Sequence, residues 1–321
     1  MVWKRHFNGG HPLPFFAVNS GFSKRMSDTS TYSRGIMMSG AGMLILSLDA
    51  LLLRLVTEAS TWDVIFYRSI FIAAAIGFYL LLKERKDYSS VFRNFGRAGW
   101  TSTVLMTLSS VSFVGAIANT SVANTLVLVA TMPFFSAVLG WMFIGETVRP
   151  RTWVSIVLAC VGTFIIFSGS FGAGNWLGDC LAIFTAFLQG LNLIVIRKAK
   201  ERDVTVPALC LSGFFAMLIA LPFAQPMAVN ISDLFYLALM GLAIVPIALV
   251  LFLSGARYAP AAEVALLALV ETVLGPIWVW LGIGETPSQL AFIGGSIVIL
   301  SIALNAWLGI RSARKGQLTN G

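Results

Sequence analysis

The sequence predicts an all-α polytopic membrane protein of ten transmembrane helices, arranged as two inverted five-helix repeats. Three observations carry that prediction. The chain offers repeated runs of about 20 apolar residues, the length that crosses a bilayer as a helix. It is 57% hydrophobic and only 11% charged, with a mean hydropathy of +0.84, where a soluble domain is about 45–50% apolar and about 25% charged. Its basic residues fall on alternate loops. A β-barrel would instead show alternating segments of about ten residues, and these runs do not alternate.

Residues 1–34 are polar and read as a disordered cytoplasmic tail. The apolar patch Pro12–Val18 is too short to span a membrane and lacks a cleavage site. Met26 is a candidate start, because MSDTSTYSRG leads directly into the first span. Ten spans follow, near Gly35–Val56, Trp62–Leu82, Gly99–Ala118, Ser121–Ile144, Thr152–Ser168, Trp176–Ile196, Val206–Ala224, Leu234–Gly255, Pro260–Ile283 and Gln289–Ile310. Residues 312–321 form a second cytoplasmic tail. Pro133, Pro246 and Pro276 lie within spans and should kink them, which membrane helices tolerate when neighbours or water serve the freed carbonyl. Cys160, Cys180 and Cys210 all fall in apolar runs and read as packing residues.

Charge supplies the orientation. Twenty of the 22 Lys and Arg residues lie in the tails or in the loops after spans two, four, six and eight, and the other five loops carry none. By the positive-inside rule both termini face the cytoplasm. The net charge of +8 therefore reports topology and contact with anionic lipid, and no nucleic-acid partner is expected. The pattern suits a bacterial inner membrane.

The internal repeat is visible in two identical endings. Shifting Gly145-Glu146-Thr147 by 139 residues lands on Gly284-Glu285-Thr286, and the same shift maps Trp141 onto Trp280 and Leu128 onto Leu267. A shift of 143 maps Gly35 onto Gly178, Asp49 onto Asn192 and Arg54 onto Arg197. The repeats are residues 35–170 and 176–311. Five spans per repeat invert the second, so Glu146 should face the cytoplasm and Glu285 the outside. Inverted repeats are a recurring plan of secondary transporters, with substrate held between them near mid-membrane.

These features resemble the drug/metabolite transporter superfamily in its EamA-type branch. The entries ANTSVAN (118–124) and RYAPAAE (257–263) precede the fourth span of each half. Each fourth span closes on Gly-Glu-Thr, and a Gly/Ala-bearing fifth span follows. YRSIFIAA (67–74) resembles the family's second span, with its arginine at Arg68. The resemblance covers residues 35–310 and implies ten helices around a central cavity. One departure stands out. The family often carries Glu-Pro in the middle of each fourth helix, whereas this chain has Met132-Pro133 in one half and Glu271-Thr272 in the other.

Ionisable groups in hydrocarbon are expensive and usually face a cavity or a partner. Glu271 leads the candidates: it lies about 16 Å past Pro260 at 1.5 Å per residue, which is mid-membrane. A carboxyl there suits a proton-coupling site or a ligand for an amine. Glu263 lies eight positions earlier, about 80° round the helix, so both can face one cavity. Asp49 lies about 21 Å past Gly35, and its repeat mate Asn192 has Gln189 beside it. Polar residues at equivalent places suit a shared cavity lining, with interhelical hydrogen bonding as the alternative. Arg68 can bind a substrate carboxylate or pair with Asp49. The pair is favoured, because a lone buried arginine needs a counter-charge. Arg54, four residues before Glu58, reads as a snorkelling arginine paired with it. Trp62, Trp100, Trp153 and Trp176 read as an interfacial belt, and the deeper Trp278 and Trp280 as lipid-facing.

The leading expectation is a secondary transporter of a small organic metabolite, working by alternating access, with a proton as a possible coupling ion. Amino acids, amines and vitamins are all within its range. Alternatives are a riboflavin or other planar-vitamin importer and a flippase for a lipid or lipid-linked compound. A membrane-embedded enzyme would need a catalytic constellation, yet His6 and His11 are the only histidines and both lie in the tail. No cofactor or metal is expected. A channel would be expected to show rings of like residues, which two unequal halves do not supply.

Overall fold

The structure is a computed structural model, and it describes residues 29–83, 95–120, 122–168, 176–199, 204–225, 229–284 and 289–318. Most of the N-terminal tail, Glu285 and Thr286 lie outside the described residues. Eight described helices are long and apolar enough to cross a membrane, and two shorter apolar helices complete ten. In chain order, α1 comprises Thr29–Leu46 and Asp49–Leu55, and α2 is Thr61–Lys83. Then come α3 at Gly96–Asn119, α4 at Val122–Val129 and Met132–Ile144, and α5 at Pro150–Phe167. The second half has α6 at Trp176–Lys198 and α7 at Thr205–Ala220. In α8, Ile231–Leu239 and Val245–Gly255 flank a π-helical turn, Met240–Ile244. The last two are α9 at Ala261–Ile283 and α10 at Gln289–Leu318.

The packing obeys the repeat. Exchanging α1 with α6, α2 with α7, and so on to α5 with α10, maps the most extensive helix pairings onto one another. α1 packs on α8 as α6 packs on α3, and α9 packs on α1 as α4 packs on α6. α2–α7, α4–α9 and α5–α10 pair across the pseudo-two-fold. One continuous core of Leu, Ile, Val and Ala runs between the halves. The outer surface carries exposed apolar side chains such as Trp141, Phe143, Phe164, Phe235 and Leu300, a face that only lipid covers without cost.

Breaks in three spans have local causes. α4 breaks at Ala130–Thr131, where Pro133 has no N–H to continue the ladder and Thr131 Oγ1 bonds back to Leu128 O at 2.6 Å. In α8 the wide turn immediately precedes Pro246. Pro276 lies inside α9, whose helical assignment runs unbroken from Ala261 to Ile283. The carbonyl it frees belongs to Thr272, which is only partly buried. α1 breaks at Ser47–Leu48 with no proline nearby. Ser47 Oγ donates to Leu44 O at 2.6 Å and accepts from Trp278 Nε1 at 2.8 Å. Trp278 thus faces α1, correcting the lipid-facing reading, whereas Trp280 is exposed and packs edge-on to Phe292.

The repeated Gly at the end of each fourth span has a backbone reason. Gly145 closes α4 at φ +64° and Gly284 closes α9 at φ +78°. The left-handed turn lets Glu146 N–H reach back to Gly140 O at 3.0 Å, the bond that caps a helix of this kind. An L side chain in that conformation costs about 1–2 kcal/mol. Gly145→Ala is therefore expected to lower stability by about that amount, read as a lower melting temperature in detergent. Glycine serves a second purpose where α5 meets α10. A Cβ on Gly162 would stand 2.8 Å from Gly294 O, so the two backbones touch with no room for a side chain. Gly162→Val is expected to push α5 off α10 and to reduce the yield of monodisperse protein on size-exclusion chromatography.

Candidate functional site

Three of the predicted residues come together where the two repeats meet. The break in α1 restarts the helix at Asp49, which is buried with 5% of its surface exposed. Its Oδ2 takes Arg68 Nη2 of α2 at 2.9 Å. The Arg68 side chain keeps 29% of its surface open. The backbone of Arg68 lies against Gly241 in the wide turn of α8. Glu271 of α9 belongs to the other repeat. It is only partly buried, and one turn further on a Cβ at Gly275 would stand 3.1 Å from Ala50, the residue after Asp49. Two carboxyls and one guanidinium, drawn from both repeats, form the charged centre.

The other three candidates are placed elsewhere. Glu263 is buried at the end that carries the basic loops, the basic end hereafter. There it accepts from the Tyr32 hydroxyl of α1, Arg151 Nη2 at 3.4 Å and Thr152 Oγ1 at 3.3 Å. Thr152 also reaches Asn305 of α10 at 3.0 Å, and Arg151 donates to Leu308 O at 2.8 Å. Glu263 therefore ties α1, α5, α9 and α10 and does not share the space beside Glu271. Asn192 is buried on the α3–α6 seam, where its Oδ1 accepts from Ser102 Oγ at 2.7 Å. That is the interhelical hydrogen bond rather than a cavity lining. Gln189 is partly buried on α6.

The structure adds residues that sequence reasoning did not select. Arg197, read as a loop arginine, is 1% exposed and forms an ion pair with Glu146 at 2.5 Å. Its Nη1 also donates to Ala256 O and Ala259 O, and Glu146 Oε2 accepts from Ala261 N at 3.3 Å. This cluster joins the end of α4 to the end of α6 and the start of α9. A small space beside it is bounded by Glu146, Glu263, Arg149, Ser136 and Pro260. At the opposite end, Asp233 of α8 accepts from the backbone N–H groups of Thr57, Glu58 and Ala59 at 3.2, 2.9 and 2.9 Å. Asp63 accepts from Gln225 N at 2.6 Å, and Thr120 Oγ1 donates to Asp179 at 2.9 Å. Both ends are thus tied across the two repeats. The one sequence signal for the Glu146–Arg197 tie was the repeat itself, which singled out both positions.

The fold and its charged centre define a ten-span inverted-repeat membrane protein. The profile of the EamA-like transporter family matches residues 33–168 and again 176–307. The chain belongs to that family, a branch of the drug/metabolite transporter superfamily. Two curated proteins are similar. An uncharacterized transporter, YdfC, of Bacillus subtilis (strain 168) is 26% identical over 181 residues, which is 54% of this chain and 58% of that protein. An uncharacterized transporter of Clostridium kluyveri is 24% identical over 214 residues, covering 63% of this chain and 68% of its own. A solved crystal structure of a protein with no stated activity superposes at TM-score 0.75 over 86% of this chain and 98% of its own. At 16% identity that likeness bears on the fold alone.

Proposed function

We propose that this protein is a secondary transporter that carries a small organic metabolite across a membrane by alternating access, coupled to a proton. The observation that supports the reading is the charged centre: the Asp49–Arg68 ion pair of one repeat, with Glu271 of the other on the helix packed against it. Ionisable groups within spans often mark a substrate or ion path, and the interface between inverted repeats is where such carriers bind. The ties at the two ends support the mechanism. Each joins one repeat to the other, so loosening one end while the other holds rocks the repeats about the centre. The basic loops support placing both termini in the cytoplasm, and short loops suit a bacterial inner membrane.

The experiment is a thermal-shift screen of the purified protein against amino acids, amines, nucleobases, flavins and lipid head groups, beside a Glu271→Gln variant. A ligand stabilises the folded protein by mass action. The expected result is a stabilising compound whose effect is lost in Glu271→Gln and whose flux into proteoliposomes is saturable and shows counterflow. Unsaturable flux would identify a channel. Binding without flux would overturn the transport reading. A shift with flavins or lipid head groups alone would select the planar-vitamin or flippase alternatives.

A further inference from the structure

The packed pair α5–α10 is basic at one end and carries no acidic residue along its length. Arg149 immediately precedes α5 and Arg151 lies in its first turn, while Arg311, Arg314 and Lys315 fall in the last eight residues of α10. No Asp or Glu stands between Thr147 and Gly178, or anywhere after Glu285. Arg151 Nη1 meets Ser312 Oγ at 3.0 Å, which sets the start of α5 beside the end of α10. Arg151 is already engaged with Glu263 and the carbonyl of Leu308. Arg149 and Arg311 are exposed. Glu146 and Glu263, which border the same end, are buried and paired with Arg197 and Arg151. α10 also outruns its apolar run. It continues to Leu318, about 12 Å past Ile310, enough to pass through a headgroup layer of about 5–8 Å. One face of this helix changes character in order. Ile293, Leu300, Leu304 and Trp307 are exposed and, with Arg311, fall within an arc of about 60°. The Arg311 guanidinium lies over the Trp307 ring, 5.2 Å from its centroid. Positions 314 and 315 continue the same line along the backbone.

We propose that the edge formed by the end of α10 and the start of α5 binds the headgroup of an anionic phospholipid, whose acyl chains lie along the exposed stripe of α10. The inference goes beyond the transport reading and does not depend on it. The order of the stripe matches the order of a lipid: aliphatic side chains for the tails, an indole at the boundary, then cations for the phosphate. A soluble anion would have no use for the aliphatic and aromatic part. The charge excess selects an anionic lipid, because a zwitterionic headgroup brings no net charge to offset it. Trp307 holds Arg311 from below, and a guanidinium so placed can pair with two phosphate oxygens at once. The end of α2 offers a partial likeness, since Lys83 lies over Tyr79 at 5.7 Å. There, however, Glu84 and Asp87 follow directly in the sequence, and an ammonium lacks the fork of a guanidinium. A bound lipid would also act on the fold. It would offset the repulsion among the arginines where Arg151 ties α5 to Glu263 of α9 and to α10.

The test is native mass spectrometry of the full-length protein in detergent, titrated with phosphatidylglycerol or phosphatidylcholine of the same acyl chains. The unaltered protein is expected to retain phosphatidylglycerol with at least about tenfold preference, the effect of two or more cations near a headgroup. Its melting temperature should rise with phosphatidylglycerol alone. The variant Arg311→Gln, Arg314→Gln, Lys315→Gln should lose the preference. A second variant removes the same charge from another loop at the basic end, with Lys198→Gln, Lys200→Gln and Arg202→Gln, and should keep it. Trp307→Leu leaves the charge unchanged and should weaken retention severalfold. If the first triple variant does not fold, the two lipids on the unaltered protein and the Trp307→Leu variant decide. Equal retention of the two lipids overturns the inference. An equal fall in both triple variants also overturns it, because the attraction is then diffuse charge and not a site. Displacement of the lipid by about a hundredfold excess of inorganic phosphate would identify a soluble-anion site and overturn the lipid assignment as well.

Discussion

Replacing Arg197 with methionine is expected to lower stability by about 3–5 kcal/mol, the loss that follows when one partner of a buried ion pair is removed. Glu146 is 6% exposed and would be left with the Ala261 N–H as a donor, while the carbonyls of Ala256 and Ala259 would lose the Arg197 guanidinium. Much of that cost is the stranded carboxylate. Removing it as well, in Glu146→Gln with Arg197→Met, should recover a large part of the loss, because replacing both charges of a buried pair is often close to neutral. Melting curves of the three proteins in one detergent measure both effects. Equal melting temperatures for Arg197→Met and the unaltered protein would mean that the pair carries no load. A double variant no better than Arg197→Met would place the energy in the carbonyl contacts instead. Arg197→Lys should fall between, since one ammonium cannot reach Glu146 and two carbonyls in the fork geometry of a guanidinium.

Asp233→Ala is the second large effect, at about 3 kcal/mol. The carboxylate accepts three backbone N–H groups from the α1–α2 loop, and bonds to a charged acceptor contribute about 1.5–3 kcal/mol each. The loop is partly exposed, so water replaces some of what is lost, and the expected total falls below the about 4.5 kcal/mol that three such bonds would contribute at the low end. Asp233→Asn keeps one carbonyl acceptor and should lose roughly half as much. The local consequence is separable from the global one. With the loop released, proteolysis between residues 56 and 61 should accelerate in Asp233→Ala while the melting temperature of the remainder shifts less. No gain in cleavage at that loop would show that other contacts hold it.

The ten spans and the repeat were legible because both depend on patterns summed over many residues: long apolar runs, alternating charge and the recurrence of Gly-Glu-Thr. The break at Thr131–Pro133 was legible for a similar reason, since proline lacks an N–H whatever surrounds it. The break at Ser47 was not. Serine disrupts a helix only when its hydroxyl is turned back on the backbone, and here Trp278, 231 positions away, helps fix that geometry. At the charged centre, the Asp49–Arg68 pair followed from the need of each buried charge for the other. Glu263 was recognisable as a buried carboxyl, but its partners Tyr32 and Arg151 stand in other helices, and depth along one span says nothing about them. Arg197 was hidden most completely. A basic residue at the end of a span fits the positive-inside pattern whether it points to water or to a buried glutamate.

The clamp at Asp233 has a consequence for natural variation. It grips the main chain of Thr57, Glu58 and Ala59, not their side chains, and Thr57 and Glu58 project outward. Any of the amino acids that bear an amide hydrogen can stand at 57 or 58 and leave the clamp intact. Proline alone is barred. Natural selection can therefore rewrite this exposed stretch, changing its charge or bulk, without renegotiating the fold beneath it.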